Sequence, residues 1–367
     1  MAKLCLYFNH PSQYREEIYK KISKEFGGDW DFEKSNTSIV TFDTKELQNT
    51  SWLAVRTFGN FYWTKGLLRL LRKDYDTYLM IGATRCLSLY FFLIFKNLFF
   101  RKKKVFLWTH GYYGKESWME KNIFKRPLFK LADGVLVYGN YSRDLMIVDG
   151  FDPNKVLTIH NSLAYSKQIK LRNNAVLSDI YAKYFGNENP VLIFIGRLTP
   201  VKQLDMILDA LYILKNRSEN YNLVYVGDGP EKDVLEAKAL ELGLCDRIWF
   251  YGACYDEGQN AKLVYNADLC VAPGNIGLTA IHSLMFGCPA VTHKDFKWQM
   301  PEFEAIRKDV TGDFFERGNV NDLANVISHW FSSHKGDRNI VRTACYREID
   351  EQWNPEFQIE VLKNFIK

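Results

Sequence analysis

The sequence predicts an α/β protein made of two doubly wound, mainly parallel sheets. Three observations predict it. Strand-like and helix-like segments alternate through the first half, the pattern weakens across a polar stretch at 162–190, and the alternation then starts again. At 367 residues the chain is long enough for two domains of roughly 150–200 residues each.

Residues 4–8 read as a strand, and 13–26 as an amphipathic helix with Tyr14, Ile18, Ile22 and Phe26 on one face. Strand candidates follow at 38–42 and 53–57, with a helix over 63–72. Strands at 77–81, 105–108, 135–138 and 156–159 then alternate with helices at 85–100, 118–131 and 141–148. In the second half, strands at 191–195, 222–226 and 247–251 alternate with helices at 203–216, 231–242 and 257–266. Further helices are expected at 321–331, 342–352 and 355–366. The expected organisation is an N-terminal Rossmann-like domain over 1–162, a linker or junction over 163–190 and a C-terminal Rossmann-like domain over 191–345. The terminal helices, 346–367, are expected to pack back toward the N-terminal domain.

Composition excludes several classes. A net charge of +5 with 25% charged residues is ordinary for a globular chain, and no basic stripe of the nucleic-acid-binding kind stands out. The seven cysteines show no paired metal spacing, and Cys5 and Cys270 sit in strand-like runs, which suits buried thiols in a reducing cytoplasm. No signal peptide is expected at the start, and the longest apolar run, 87–95, is too short for a bilayer span of about 20 residues.

Two stretches of the second half suit a phosphate-bearing ligand. The strand at 191–195 ends in Gly196-Arg197-Leu198-Thr199-Pro200-Val201-Lys202, which sets a guanidinium and an ammonium beyond a strand's carboxyl end. Arginine offers a fork to phosphate oxygens and lysine a compact charge. From Asp268 to Val291 the sequence reads strand, turn and short helix: Pro273 ends the strand and Gly274 and Gly277 bracket Asn275 and Ile276. A helix beginning near Leu278 would turn its free N–H groups toward whatever sits above the strand. In the first half, Asn9 to Arg15 follow the first strand, and His110 follows the strand at 105–108.

The stretch from Asp268 to Val291 resembles the signature region of the retaining glycosyltransferases of family 4. Gly277-Leu278 and Gly287-Cys288-Pro289-Ala290-Val291 match its pattern, while the two signature glutamate positions hold Gly274 and His282. The resemblance is specific from Gly196 to about Asn325 and loose in the N-terminal half. It implies the GT-B fold, two Rossmann-like domains facing across a cleft, and a metal-independent hexosyltransferase with no cofactor. Arg197 and Lys202 would bind the donor diphosphate and neutralise it as it leaves. Gly196, Gly252, Ala253, Asn275, Gly277, Leu278 and Thr279 would line the rest of the nucleotide-sugar site, with His282 on a ribose hydroxyl. His110 would complete the catalytic set by hydrogen-bonding the donor sugar and stabilising an oxocarbenium-like transition state. Asn9, His10, Tyr14 and Arg15 would lie on the acceptor side.

The implied reaction moves a sugar from a UDP- or GDP-sugar to a lipid-linked glycan, with retention, in bacterial capsule or O-antigen synthesis. Replacement of both glutamates leaves two alternatives open: a nucleotide-sugar-binding protein without transferase activity, and a GT-B sugar-nucleotide epimerase. The aromatic-rich stretch 90–100 leads into Arg101, Lys102, Lys103 and Lys104, a cluster suited to anionic lipid headgroups. The expected location is cytoplasmic and peripheral on the inner face of the membrane, with docking released by high salt.

Overall fold

The computed structural model describes residues 3–34 and 40–366. The chain forms two compact units, Met1–Ala164 with Asn354–Lys367, and Tyr165–Trp353.

The first unit is built on eight strands: β1 (Leu4–Phe8), β2 (Asp29–Lys34), β3 (Thr50–Phe58), β4 (Phe61–Thr64), β5 (Thr77–Ile81), β6 (Lys104–Thr109), β7 (Gly134–Val137) and β8 (Val156–Thr158). They lie in the order β4-β3-β2-β1-β5-β6-β7-β8, all parallel except the β3–β4 hairpin. Side chains alternate across the sheet. Cys5 and Tyr7 enter a core with Leu89, Phe92 and Phe129, whereas Leu4, Leu6 and Phe8 join Ile18, Trp30, Trp108 and Leu362 on the opposite face. Helices Leu87–Phe99 and Arg126–Leu131 cover the first face; Glu16–Phe26 and Pro355–Lys363 cover the second.

Strand β2 was not expected, because Asp29-Trp30-Asp31-Phe32-Glu33-Lys34 looks too acidic for a sheet interior. Its Trp30 and Phe32 fill one core while Asp31 and Glu33 are buried among hydroxyls on the other side. Asp31 accepts from Ser51, and Glu33 accepts from Tyr7 and from Thr64 Oγ1 at 3.1 Å. Burial pushes the Glu33 carboxyl above the usual range, against those hydrogen bonds. The expected helix over 63–72 is absent: Trp63 belongs to β4, and after Gly66 (φ 89°) only a 3₁₀ segment, Leu67–Arg72, follows. The aromatic run Phe61-Tyr62-Trp63 after the turn at Gly59 suits an edge strand better than a helix. Of the strand expected at 38–42, residues 38 and 39 lie outside the described residues, and Thr41 forms a single bridge to Ser12.

The second unit has six parallel strands: β9 (Val191–Ile195), β10 (Asn222–Val226), β11 (Ile248–Gly252), β12 (Leu269–Val271), β13 (Ala290–His293) and β14 (Gly312–Phe315). Their order, β11-β10-β9-β12-β13-β14, is that of a doubly wound dinucleotide-type sheet. Residues 163–190 are not a bare linker. Helices Tyr165–Asn173 and Ile180–Phe185 occupy much of that stretch and pack into the second unit. Arg172 donates to both carboxylate oxygens of Asp350 at 3.0 and 2.9 Å and lies 4.4 Å over the Tyr346 ring; Tyr181 donates to the Leu263 carbonyl at 2.7 Å. The polar residues that suggested a linker are making these contacts. The break near the chain's end falls at 353–354, so helix Arg338–Gln352 belongs to the second unit and Pro355–Lys363 to the first. Among the described residues, no helix is long and apolar enough to cross a membrane.

Gln358 holds the last helix to the first unit: its amide donates to the His160 carbonyl at 3.0 Å and accepts from Ser162 Oγ at 2.7 Å. Gln358→Leu removes both of these buried bonds, and denaturant unfolding should show a loss of about 1–3 kcal/mol.

Candidate active site

Each sheet reverses its order once, between β1 and β5 in the first unit and between β9 and β12 in the second. Loops leaving the carboxyl ends of two such strands diverge, and ligands of open α/β sheets bind in the crevice they leave.

In the second unit the loop after β9 is held by backbone. Gly196 N donates to the Val226 carbonyl, Leu198 N to Asp228, and Lys202 O accepts from Gly274 N, all at 2.9–3.0 Å. Three glycines leave room for it. A Cβ at Gly227 would lie 1.8 Å from Gly196 O, one at Gly229 2.2 Å from Leu198 O, and one at Gly274 2.1 Å from Val201 O. Any side chain at 227, 229 or 274 would displace the segment that carries Arg197 and Lys202. Gly274 therefore serves backbone contact here.

The Lys202 ammonium donates to Asn275 O at 2.5 Å and to Asn275 Oδ1 at 2.9 Å, so it is aimed before any ligand arrives. Burial lowers its pKa to about 8, while Glu302 and the Cys270 thiol pull the other way. Arg197 is exposed and, among the described residues, has no ion-pair partner. Thr279 Oγ1 donates to the Ile195 carbonyl at 3.0 Å, tying the short helix Thr279–Met285 to the end of β9. Gly196, Arg197, Lys202, Asn275, Gly277, Leu278 and Thr279 thus gather at the β9–β12 switch point. Gly252 ends β11 and Ala253 follows it; the Gly252 carbonyl accepts from Gly227 N at 2.9 Å.

His282 is differently engaged. Its Nε2 lies 2.9 Å from Glu257 Oε1, which also accepts from Gln168 at 2.7 Å. Burial raises the Glu257 carboxyl, but the His282, Gln168 and Asn260 hydrogen bonds outweigh it and hold the group below its usual value. Sequence reasoning missed Gln299, a buried amide that accepts from Ile276 N at 2.9 Å and donates to Thr292 Oγ1 at 2.7 Å, fixing the turn beside Asn275. No motif marks it. A separate cavity of about 480 Å³ opens near the amino ends of β12 and β13, beside Asp268 and Pro289; the Arg338 guanidinium there is bonded to Asp268 at 2.5 Å.

In the first unit, loops after β1, β5 and β6 line a cavity of about 510 Å³ that brings together Asn9, His10, Tyr14, Arg15 and His110. Arg15 is 8% exposed and donates to the Tyr14 and Tyr19 hydroxyls at 3.1 and 3.3 Å. Its guanidinium lies 5.5 Å from the Trp108 ring and 5.3 Å from the Tyr138 ring. His110 packs on Tyr138 at 4.8 Å; its Nδ1 is buried and has no hydrogen-bond partner among the described residues. Burial first, then Arg15 and Lys125, hold His110 down to about 4, so the ring is neutral near pH 7; burial and Arg15 lower His10 as well. The turn at His110 depends on Ser142, another residue without a sequence signal. Ser142 Oγ donates to His110 O and accepts from Tyr112 N, both at 2.9 Å, where Gly111 (φ 64°) leaves room for it.

The contact at Gly274 is testable alone. Gly274→Ala forces a methyl into the Val201–Lys202 backbone and should lower stability by about 1–3 kcal/mol in denaturant unfolding. A neutral effect would mean that the loop yields.

Residues 181–345 match the family described as glycosyl transferases group 1. A GDP-mannose-dependent alpha-(1-6)-phosphatidylinositol dimannoside mannosyltransferase of Mycobacterium tuberculosis is 37% identical over 28% of this chain and 27% of its own length. The corresponding monomannoside mannosyltransferase is 22% identical over 71% of this chain and 68% of its own length. The first match thus spans about a quarter of that relative. Among solved structures, the lipopolysaccharide outer core galactosyltransferase WaaB superposes with a TM-score of 0.73 at 13% identity, covering 99% of this chain and 98% of the other. Anabaena Alr3699/HepE in complex with UDP gives 0.71 at 18% identity, covering 98% of each chain. The chain has the α/β fold of GT-B glycosyltransferases, two Rossmann-like units, and the stretch of it that matches the glycosyl transferases group 1 family lies in the second.

Proposed function

We propose that the protein is a glycosyltransferase that moves a sugar from a nucleoside-diphosphate sugar to a glycan acceptor. The observation that carries this reading is the Gly196–Lys202 loop, which carries the bonded Lys202 and the exposed Arg197 at the switch point of a sheet that matches the glycosyl transferases group 1 family. The bond between the anomeric carbon and the diphosphate breaks, and Arg197 and Lys202 take up the charge left on the phosphate oxygens. The acceptor oxygen bonds to the same carbon from the same face and passes its proton to the departing diphosphate oxygen, so the configuration is retained. Cationic side chains do the work that a resident metal would otherwise do at the diphosphate, and no cofactor is assigned. Gly252 and Ala253 offer backbone to the base, and His282, oriented by Glu257, meets the ribose. The relatives' names support a GDP- or UDP-sugar donor and a lipid-borne acceptor. Surface polysaccharide synthesis of the capsule or O-antigen kind fits that chemistry.

A screen of UDP- and GDP-sugars tests the reading through nucleotide release and sugar transfer. Arg197→Ala and Lys202→Ala should each lower turnover by at least about a hundredfold with the fold intact. Near-normal transfer by either variant would remove the assignment. Sugar isomerisation without transfer would make the protein an epimerase, and donor binding without turnover a binding protein.

Lys202 also sets a pH dependence. With its pKa lowered to about 8, the ammonium is charged below that value and neutral above it, so its attraction for diphosphate is lost as pH rises. Calorimetric affinity for a nucleoside diphosphate should be flat below neutrality and fall above pH 8, and Lys202→Met should remove the slope.

We place the protein on the cytoplasmic face of the membrane, docked through the helix Leu87–Phe99. Phe91, Ile94, Phe95, Leu98 and Phe99 are exposed on it, Phe99 to 67%. The basic run beyond it is partly engaged within the fold: Lys103 donates to the Lys73 and Tyr75 carbonyls and Lys104 reaches Asp133 at 3.6 Å. Burying an apolar side chain contributes about 1.5–3 kcal/mol. A cation near an anionic surface contributes about 1 kcal/mol. Apolar insertion therefore outweighs charge, and the salt release expected from the sequence gives way to retention. Flotation with anionic vesicles should survive high salt and be lost in Phe95→Asp/Phe99→Asp; salt-sensitive flotation would return the weight to the cations.

A further inference from the structure

Two loops of the second unit clasp the turn at Asn275. From the loop after β9, the Lys202 ammonium donates to Asn275 O and Oδ1. From the loop after β13, the Gln299 amide accepts from Ile276 N at 2.9 Å and donates to Gly274 O at 3.3 Å and to His293 O at 3.1 Å. The Met300 side chain lies beside Gly277, where an added Cβ would meet its Cγ at 3.7 Å. The 3₁₀ segment Pro301–Ala305 follows at once, anchored by the Phe303 ring, which stacks on Phe296 at 4.3 Å. It carries Glu302, only 2% exposed. One loop thus brings an ammonium to the turn, and the other braces the turn and buries a carboxylate.

Burying either charge is unfavourable unless an opposite charge or hydrogen bonds offset it. Lys202 is where the two loops answer each other. Burial acts to strip its proton, and Glu302 is the larger influence opposing that, ahead of the neutral Cys270 thiol of β12. Asn275 contributes uncharged acceptors, and Arg197, on the same loop as Lys202, is exposed.

We propose that Glu302 is a positioning residue for donor binding: its buried carboxylate keeps the Lys202 ammonium charged at the Asn275 turn, where the diphosphate docks. This rests on the glycosyltransferase reading and names the group that governs its cation. Glu302 acts through Lys202 and not on the phosphates, which it would repel, so its removal has opposite effects at the two ends of the pH range. Where Lys202 is charged with or without it, loss of a neighbouring negative charge favours the diphosphate. Near pH 8, an ammonium without its carboxylate has already lost its proton, and affinity drops.

The test has two readouts on the full chain. Competitive labelling with acetic anhydride, read by mass spectrometry of the Lys202 peptide without nucleotide, follows the titration of that amine. Calorimetry with UDP and GDP follows affinity against pH. The wild-type amine should titrate near pH 8, and Glu302→Gln should lower that midpoint by about one pH unit or more. Affinity of Glu302→Gln should equal or exceed that of the wild type well below neutrality. At pH 8 it should be about fivefold weaker, the ratio of charged fractions for a one-unit shift. Glu302→Asp keeps the charge and should restore most of the wild-type profile. In Lys202→Met, adding Glu302→Gln should leave the pH profile of affinity unchanged. Should Glu302→Gln fail to fold, Glu302→Met, of like volume and with no buried dipole to satisfy, carries the same expectations. An unshifted Lys202 titration in the folded variant overturns the proposal. So does an equal loss of affinity at every pH, which would make Glu302 part of the loop's packing alone, and so does a pH effect that persists in Lys202→Met. If neither nucleotide binds the wild type, the glycosyltransferase reading fails, and the labelling still decides whether Glu302 holds the Lys202 proton.

Discussion

The functional reading depends on one packing constraint: the segment from Gly196 to Lys202 lies against three stretches of backbone that have no Cβ. Gly227, Gly229 and Gly274 come from loops after β10 and β12, and each opens space for a carbonyl of that segment. The result is a loop with little freedom to adjust, carrying a lysine already bonded to Asn275. A lysine fixed in this way loses little side-chain entropy on meeting a phosphate, and so more of the electrostatic gain is retained.

The same constraint accounts for the glycine at position 274. A carboxylate at position 274 would need a Cβ where the Val201 carbonyl already lies, so in this chain the turn is committed to backbone packing. Position 282 has kept a polar side chain, but one paired with a carboxylate on the neighbouring helix Glu257–Asn266. A histidine fixed by a carboxylate presents a defined tautomer to a ligand.

Much of the fold was legible because buried parallel strands read as short apolar runs. Val191–Ile195, Asn222–Val226 and Thr77–Ile81 needed no more than that. Strand β2 was not legible: its buried acids are answered by Tyr7, Ser51 and Thr64, which are remote in sequence. The stretch 163–190 looked like a linker since Arg172 and Gln168 are polar, and their partners Asp350 and Glu257 lie far along the chain. The cation loop could be read from strand, glycine and spacing together. Gln299 and Ser142, which set the turns at Asn275 and His110, could not be, because one buried amide or hydroxyl has no sequence pattern of its own.

The central claim is that glycine-backed packing aims Arg197 and Lys202 at a nucleoside diphosphate. Calorimetric titration of the folded Gly274→Ala protein with UDP and GDP tests it most directly, since that change touches neither cation. The account predicts that the nucleotide bound by the wild type loses at least about tenfold in affinity, the worth of one misplaced charge-assisted hydrogen bond. Wild-type affinity in a folded Gly274→Ala protein would contradict it.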